Sequence, residues 1–453
     1  MRMSKQIRSR SWRLGCLMAV SLLILVLAVA PGQRALSQQS AATSSAARNA
    51  ALIAATQDVL KETSDLRQLS ILRAVQSSTQ SRAEIERAVI KNLDEDTSSV
   101  DTHAAEVTMK KLGLAPADFH YRALMIRVLT EQVAGYYEPK THQFHLADWI
   151  DVDGQRPVMA HELTHALQDQ HFDLRRFEHW PKGDSDAELA AHALIEGDAT
   201  LAMVMYIMSN QARALTFLKS LGGIGVETKE LDQAPRMLRE SLLFPYQEGL
   251  SWTRALYKQG GWQEVSQAFT ALPQSTEQVL HPEKYFAHEA PVKVTLPDIT
   301  GLLNMKSAPS AATGGPKAQV TWKRLTSDVN GEWGMYLLLD QYLKSAAESR
   351  QAAAGWGGDR FEVYESSSGQ VVYALISAWD TENDAREFYN GYVKRTQLRY
   401  EGAETVASPA PTRISWKTQE GMVTVERDGS RVLVIEGYPE GISEQQALRA
   451  LGR

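Results

Sequence analysis

His161-Glu162-Leu163-Thr164-His165 constrains this chain more than any other stretch of it. Two imidazoles four residues apart share a face when the backbone between them is helical. Pro157 suits the first turn of that helix, and Val158, Met159, Leu163 and Ala166 give it apolar contacts. Neutral imidazole is a preferred zinc donor, so His161 and His165 form a two-point clip for one ion. Glu162, beside the first histidine, is placed to take a proton from water that such an ion activates. The competing reading, a surface helix with two incidental histidines, accounts for neither the proline nor the apolar flanks.

Bulk properties narrow the field. With 453 residues the chain exceeds one ordinary core, so two or three domains are expected, and 43% apolar residues are enough to fill them. A formal charge of -6 supplies no basic field, which argues against nucleic acid as the main partner. Arg2, Lys5, Arg8, Arg10 and Arg13 precede an apolar run at 14–30, and the small residues Ala35 and Ser37 follow. That order describes a secretory signal peptide over 1–37 with cleavage after Ser37; the length of the run also admits an uncleaved N-terminal membrane anchor. Export to the periplasm or the exterior is the expectation. Cys16 is the only cysteine, which removes disulfide frameworks, thiol nucleophiles and cysteine-rich zinc sites. Export without disulfides suits a bacterial envelope protein.

Along the chain, 38–55 is rich in Ala, Ser and Gln and reads as a flexible lead-in. Residues 56–130 read as a helical layer, with a capping box at Ser81-Arg82-Ala83-Glu84. Gly135-Tyr136-Tyr137, the turn Glu138-Pro139-Lys140-Thr141 and Gln143-Phe144-His145-Leu146 read as a β-hairpin. His142 and His145 in it point to opposite faces and read as surface residues. Helical patterns return at 186–208 and at 246–272, the latter interrupted at Gly260-Gly261. A Ser/Ala/Gly/Pro tract makes 307–319 the linker, between a domain at 131–306 and a separate α+β domain at 320–453. In the latter, Asp428-Gly429 marks a hairpin, and Trp356-Gly357-Gly358-Asp359-Arg360 reads as a recognition loop or as a tight turn with a packed tryptophan.

A catalytic zinc site requires a third protein ligand and an open position. Glu196 lies on the next helical pattern, 31 residues after His165, with Glu188 and His192 on its face at intervals of four. His171 has the spacing of HExxHxxGxxH, but Gln168 stands where that motif turns out of the helix on glycine. All four residues remain candidates on spacing.

His161, Glu162, His165 and Glu196 together resemble the gluzincins, zinc peptidases in which HExxH is followed by a glutamate ligand on a downstream helix. The wider stretch, from Gly135-Tyr136-Tyr137-Glu138-Pro139 to Glu196-Gly197-Asp198-Ala199, is similar to uncharacterised exported bacterial metallopeptidases. The resemblance implies a mainly helical zincin fold over roughly 131–290, zinc on His161, His165 and Glu196, and an edge strand that holds extended polypeptide. One departure is that position 200 is Thr where many gluzincins have an aspartate behind a zinc histidine. Asp198 points nearly opposite to Glu196 on a continuous helix. Either Gly197 bends the helix, or Asp169 or Asp186 supplies that support.

An oxyanion donor is also needed, and His281, Tyr285 and Tyr246 are the candidates, with His281 the one expected. The reading is an α+β protein acting as an exported zinc endopeptidase with Glu162 as general base. Its alternatives are an inactive envelope scaffold that keeps the zinc site and a hydrolase of non-peptide amides.

Overall fold

The computed structural model describes residues 41–149, 155–177, 180, 183–215, 229–306, 320–406 and 410–452. The signal or anchor at 1–37 and the linker at 307–319 lie outside them. Among the described residues no helix is long and apolar enough to cross a membrane.

The first element corrects the expectation of a flexible lead-in. Helix α1 (Ala41–Arg67) runs through that segment. Alanine is the best helix former, and Leu52, Ala55 and Val59 supply a stripe buried against Met159, Leu163 and Leu167. Composition conveyed the small side chains; the stripe inside them decided the structure.

Strand β1 (Gln76–Gln80) is a second correction, in a region expected to be wholly helical. Its sequence, QSSTQ, has no apolar alternation; it exists by parallel pairing with β3, in the register Ser78 opposite His145. Helix α2 (Arg82–Asp96) starts at the expected capping box, with Ser81 and Glu84 exchanging bonds. Helices α3 (Ser99–Lys111) and α4 (Tyr121–Gln132) complete the layer. The hairpin follows as β2 (Gly135–Glu138) and β3 (Gln143–Ala147), and the sheet order β1-β3-β2 leaves β2 at an edge. His145 is buried, not on the surface: its Nδ1 lies 2.8 Å from Ser78 Oγ and its ring 4.8 Å from that of Tyr136.

Helix α5 (Arg156–Phe172) opens with Pro157 and stops where Asp173 turns left-handed at φ 52°. Helix α6 (Ser185–Met208), capped by the Asp184 side chain, crosses both α5 and α7 (Arg236–Ala268). The α6–α7 crossing is close because it is built from glycines: a Cβ on Gly197 would stand 2.3 Å from Gly249 O, and one on Gly249 2.4 Å from Ala193 O. Gly197 therefore serves this approach, and α6 runs through it as one helix. Helix α7 kinks at Gly260 and Gly261, where the interruption was expected.

The C-terminal region is a seven-stranded antiparallel sheet: β4 (Trp322–Asp328), β5 (Trp356–Ser366), β6 (Val371–Trp379), β7 (Glu404–Val406), β8 (Arg413–Thr418), β9 (Gly421–Asp428) and β10 (Arg431–Tyr438), in the order β4-β5-β6-β10-β9-β8-β7. Helices α8 (Gly331–Leu343), α9 (Ala346–Ala353) and α10 (Glu382–Arg399) are inserted along it, and α11 (Glu444–Ala450) closes the chain. Both faces are buried, by period-two alternation: Tyr373, Leu375, Val432 and Val434 face α8 and α10, while Val372, Ile376, Leu433 and Ile435 face α11 and the segment around Leu296 and Leu303. The Trp356–Arg360 segment is the bulged start of β5, with Trp356 buried and donating to Asp359 at 2.9 Å. Its glycines read as a turn in sequence, but Gly358 is small because Val292 O crosses there, 2.2 Å from where a Cβ would stand.

The whole is α+β, as expected, and the C-terminal region packs against the helical part. One apolar core contains Val128 of α4, Leu194 of α6, Trp252 of α7, Trp333 and Leu337 of α8 and Val434 of β10. Polar ties reinforce it: Asp328 accepts from Ser185 N at 2.8 Å, and Arg395 donates to Leu112 O at 2.7 Å.

Candidate metal centre

The α5–α6 crossing brings the second half of the site to the first. His161 and His165, one turn apart on α5, aim their Nε2 atoms at each other, 3.1 Å apart. Glu196 Oε2 from α6 lies 3.1 Å from His161 Nε2 and 3.3 Å from His165 Nε2. Both histidine side chains are buried, whereas that of Glu196 keeps 14% exposure toward the cavity beside it.

These separations fit an ion of zinc's size. Tetrahedral ligands at the usual zinc distances of about 2.0–2.1 Å stand about 3.3 Å apart, which is nearly the triangle present here. The donor chemistry fits as well. Gln168 Nε2 donates to Ile195 O at 3.0 Å and to Asp198 Oδ2 at 2.9 Å, so its Oε1 is left to accept from His165 Nδ1 at 2.8 Å. With Nδ1 carrying the proton, the His165 lone pair is on Nε2, facing the other two donors. Two imidazole nitrogens and a carboxylate oxygen thus converge on one point, which suits a shared proton or a cation.

The electrostatics of the cluster follow. Burial pulls His161 below its ordinary pKa. Burial acts on His165 in the same sense, but the Glu196 charge and hydrogen bond outweigh it and raise His165 to about 9. Burial pushes Glu196 up, and the His165 charge with the two imidazole hydrogen bonds overcomes that and holds it well below the carboxylate range.

Glu162 is fully buried, and its Oε2 accepts the Tyr137 amide at 3.1 Å. In the β2–β3 ladder Ala147 N donates to Ala134 O, so by alternation Tyr137 points its amide away from β3. The edge of β2 therefore faces the site.

The rivals for the third position lie elsewhere. His171 Nε2 is 2.7 Å from Ser70 O, at the far end of α5. Glu188 and His192 line the cavity but do not join the cluster of three converging ligand atoms. The expected support from Asp169 or Asp186 is corrected too. Asp169 holds Tyr137 Oη at 2.9 Å and Arg73, and Asp186 accepts from the Thr276 amide at 3.1 Å. Asp198 acts at one remove, through Gln168.

His281 is a further correction. Its Nε2 lies 3.0 Å from Glu332 Oε1, at the junction of α8 with the short helices Thr276–Leu280 and Pro282–Phe286, and it does not line the cavity. Tyr285 Oη donates to Ala271 O. Tyr246, third of the three candidates, stacks on His161 with ring centroids 6.1 Å apart and lines the cavity.

That cavity, about 140 Å³, runs from Glu196 toward the C-terminal region. Ile195, Met237, Leu242, Met125, Trp333 and Phe361 make its wall mostly apolar. A second acidic group, Glu277, Glu289 and Asp380, is already filled by Lys284 Nζ at 2.6–2.7 Å from each.

Sequence reasoning missed Gln168 as a support, though its i+3 position from His165 placed it on the same face. It also missed the Tyr137 amide, which no side-chain pattern could signal.

Residues 319–447 match a family described as a domain of unknown function, DUF8575. The match spans β4 to α11 and does not reach the three converging ligands. No curated protein matches the chain. Nor does any solved structure.

Proposed function

We propose that this chain is an exported, zinc-dependent endopeptidase. The observation that carries the reading is the convergence of His161 Nε2, His165 Nε2 and Glu196 Oε2 within 3.3 Å of one another, with Glu162 on the next position of the same helix. His161, His165 and Glu196 would hold the metal. Zinc bound there supplies Lewis acidity, which brings deprotonation of water within reach near neutral pH.

The chain's own residues do the rest. Glu162, oriented by the Tyr137 amide, takes the proton from the water that attacks the peptide carbonyl and returns it to the departing amine. The edge of β2 that no strand covers pairs with the main chain of an extended polypeptide. Tyr246 donates to the carbonyl oxygen as negative charge develops there. The cavity beside Glu196 accepts an apolar side chain of the substrate.

The test separates metal from chemistry. Glu162→Gln is expected to retain zinc and lose hydrolysis of a peptide library, while Glu196→Ala releases zinc. Equal zinc retention in both variants refutes the ligand assignment. A wild-type chain that holds zinc and cleaves no peptide refutes the peptidase.

A further inference from the structure

We propose that Arg67, the last residue of α1, is a positioning residue for the metal ligands and acts through Asp198 and Gln168 on His165. The inference rests on the zinc reading above and adds a role for the N-terminal helix.

The relay consists of buried groups in series. The Arg67 side chain is fully buried, as is that of Asp198, to which its Nε donates. Its guanidinium also lies over the Trp262 ring, 4.5 Å from the centroid, and Nη1 donates to Ser266 Oγ at 3.2 Å. Asp198 turns its other oxygen to Gln168 Nε2 at 2.9 Å, and Gln168 Oε1 faces His165 Nδ1 at 2.8 Å. Each link fixes the next: Asp198, pinned by Arg67, holds the amide orientation of Gln168, and that orientation selects the His165 tautomer whose Nε2 lone pair faces Glu196 and His161. Without Arg67, the Asp198 carboxylate loses the contact that fixes its plane and can turn. Gln168 is then free to flip.

Three elements far apart in sequence meet in this relay. Gln68, left-handed at φ 60°, ends α1 immediately after Arg67, so the cation enters at the helix C-terminus, where the helix dipole favours it. The connection from α1 to β1 is strapped to the last turn of α5: Gln170 Oε1 accepts the Leu72 and Arg73 amides, and His171 binds Ser70 O. Helix α1 is thus part of the working site and not a segment to be shed.

The test is zinc affinity of the full chain, measured by chelator competition, together with the absorption bands of the cobalt-substituted protein and the melting temperature of the metal-free form. Arg67→Met and Gln168→Ala are each expected to weaken zinc binding about 10- to 100-fold and to shift the cobalt bands. The double variant should be no weaker than Gln168→Ala alone, because both break one relay. Arg67→Lys, which keeps the charge, should recover part of the affinity. Val59→Ala, a cavity on the same helix away from the relay, should lower the melting temperature and leave affinity within about twofold. If Arg67→Met does not fold, Arg67→Lys compared with Val59→Ala at similar melting temperature decides the matter. A tightly binding wild type with an unchanged Arg67 variant overturns the relay alone, as does equal loss in Val59→Ala. A wild type that binds no zinc overturns the metal reading and the relay with it.

Discussion

Replacing Gly197 with alanine tests whether the α6–α7 crossing sets the position of Glu196. The added Cβ would stand 2.3 Å from Gly249 O and 2.6 Å from Thr253 Oγ1, where ordinary contact begins at 3.4 Å. The deficit is about 1 Å, and most of it is against backbone, so the two helices must separate by about that distance. Overpacking of this kind costs about 1–3 kcal/mol. Glu196 is the neighbouring residue on α6, and its Oε2 now lies 3.1 and 3.3 Å from the two imidazoles. A displacement of about 1 Å would take that oxygen out of the triangle that suits zinc ligand distances of about 2.0–2.2 Å. The expected result is a metal-free protein destabilised by about 1–3 kcal/mol in urea unfolding and zinc affinity at least about tenfold lower. Gly301→Ala, whose Cβ meets open space, is the control and should change neither. A Gly197→Ala protein as stable and as zinc-avid as wild type refutes the argument that this crossing positions the carboxylate.

Two further outcomes follow from the site. A histidine whose folded-state pKa stands above its ordinary 6.5, as His165 does at about 9, adds stability that is complete below pH 6.5 and lost as pH rises through 9. Metal-free protein should therefore weaken between pH 6.5 and 9, by about 3 kcal/mol at most, and His165→Gln should flatten that slope in urea titrations. His161, held below its ordinary value, acts only below pH 6.5. His281, raised by its hydrogen bond to Glu332, adds to the slope in the same sense, so the slope that His165→Gln removes is the share due to His165. In peptide hydrolysis, Tyr246→Phe should lower kcat about 10²- to 10³-fold with zinc retained, whereas His281→Ala should change it little; the reverse order would return the oxyanion role to His281.

The sequence determined by itself whatever depends on near neighbours along the chain. The helix at 161–165, its start at Pro157, the capping box at Ser81, the hairpin before the motif and the kink at Gly260-Gly261 are set by spacings of one to five residues, and local geometry transmits those directly. His161, Glu162 and His165 were legible for that reason, and Glu196 was legible because a second helix at a workable distance carried a carboxylate on one face.

Tertiary structure decided the rest. Strand β1 has no pattern of its own and forms because β3 offers it partners. A stretch that composition describes as flexible is helical because Leu52, Ala55 and Val59 find α5. That Glu196, and not His192, converges with His161 and His165 depends on how α6 crosses α5, and that Tyr246, and not His281, stacks on His161 depends on where α7 passes. Arg67 reaches Asp198 across 131 positions, and Gln168, which in sequence stands where a glycine turn is absent, links Asp198 to His165. Such roles depend on distances through space between groups whose separation along the chain carries no information, and only the packed fold assigns them.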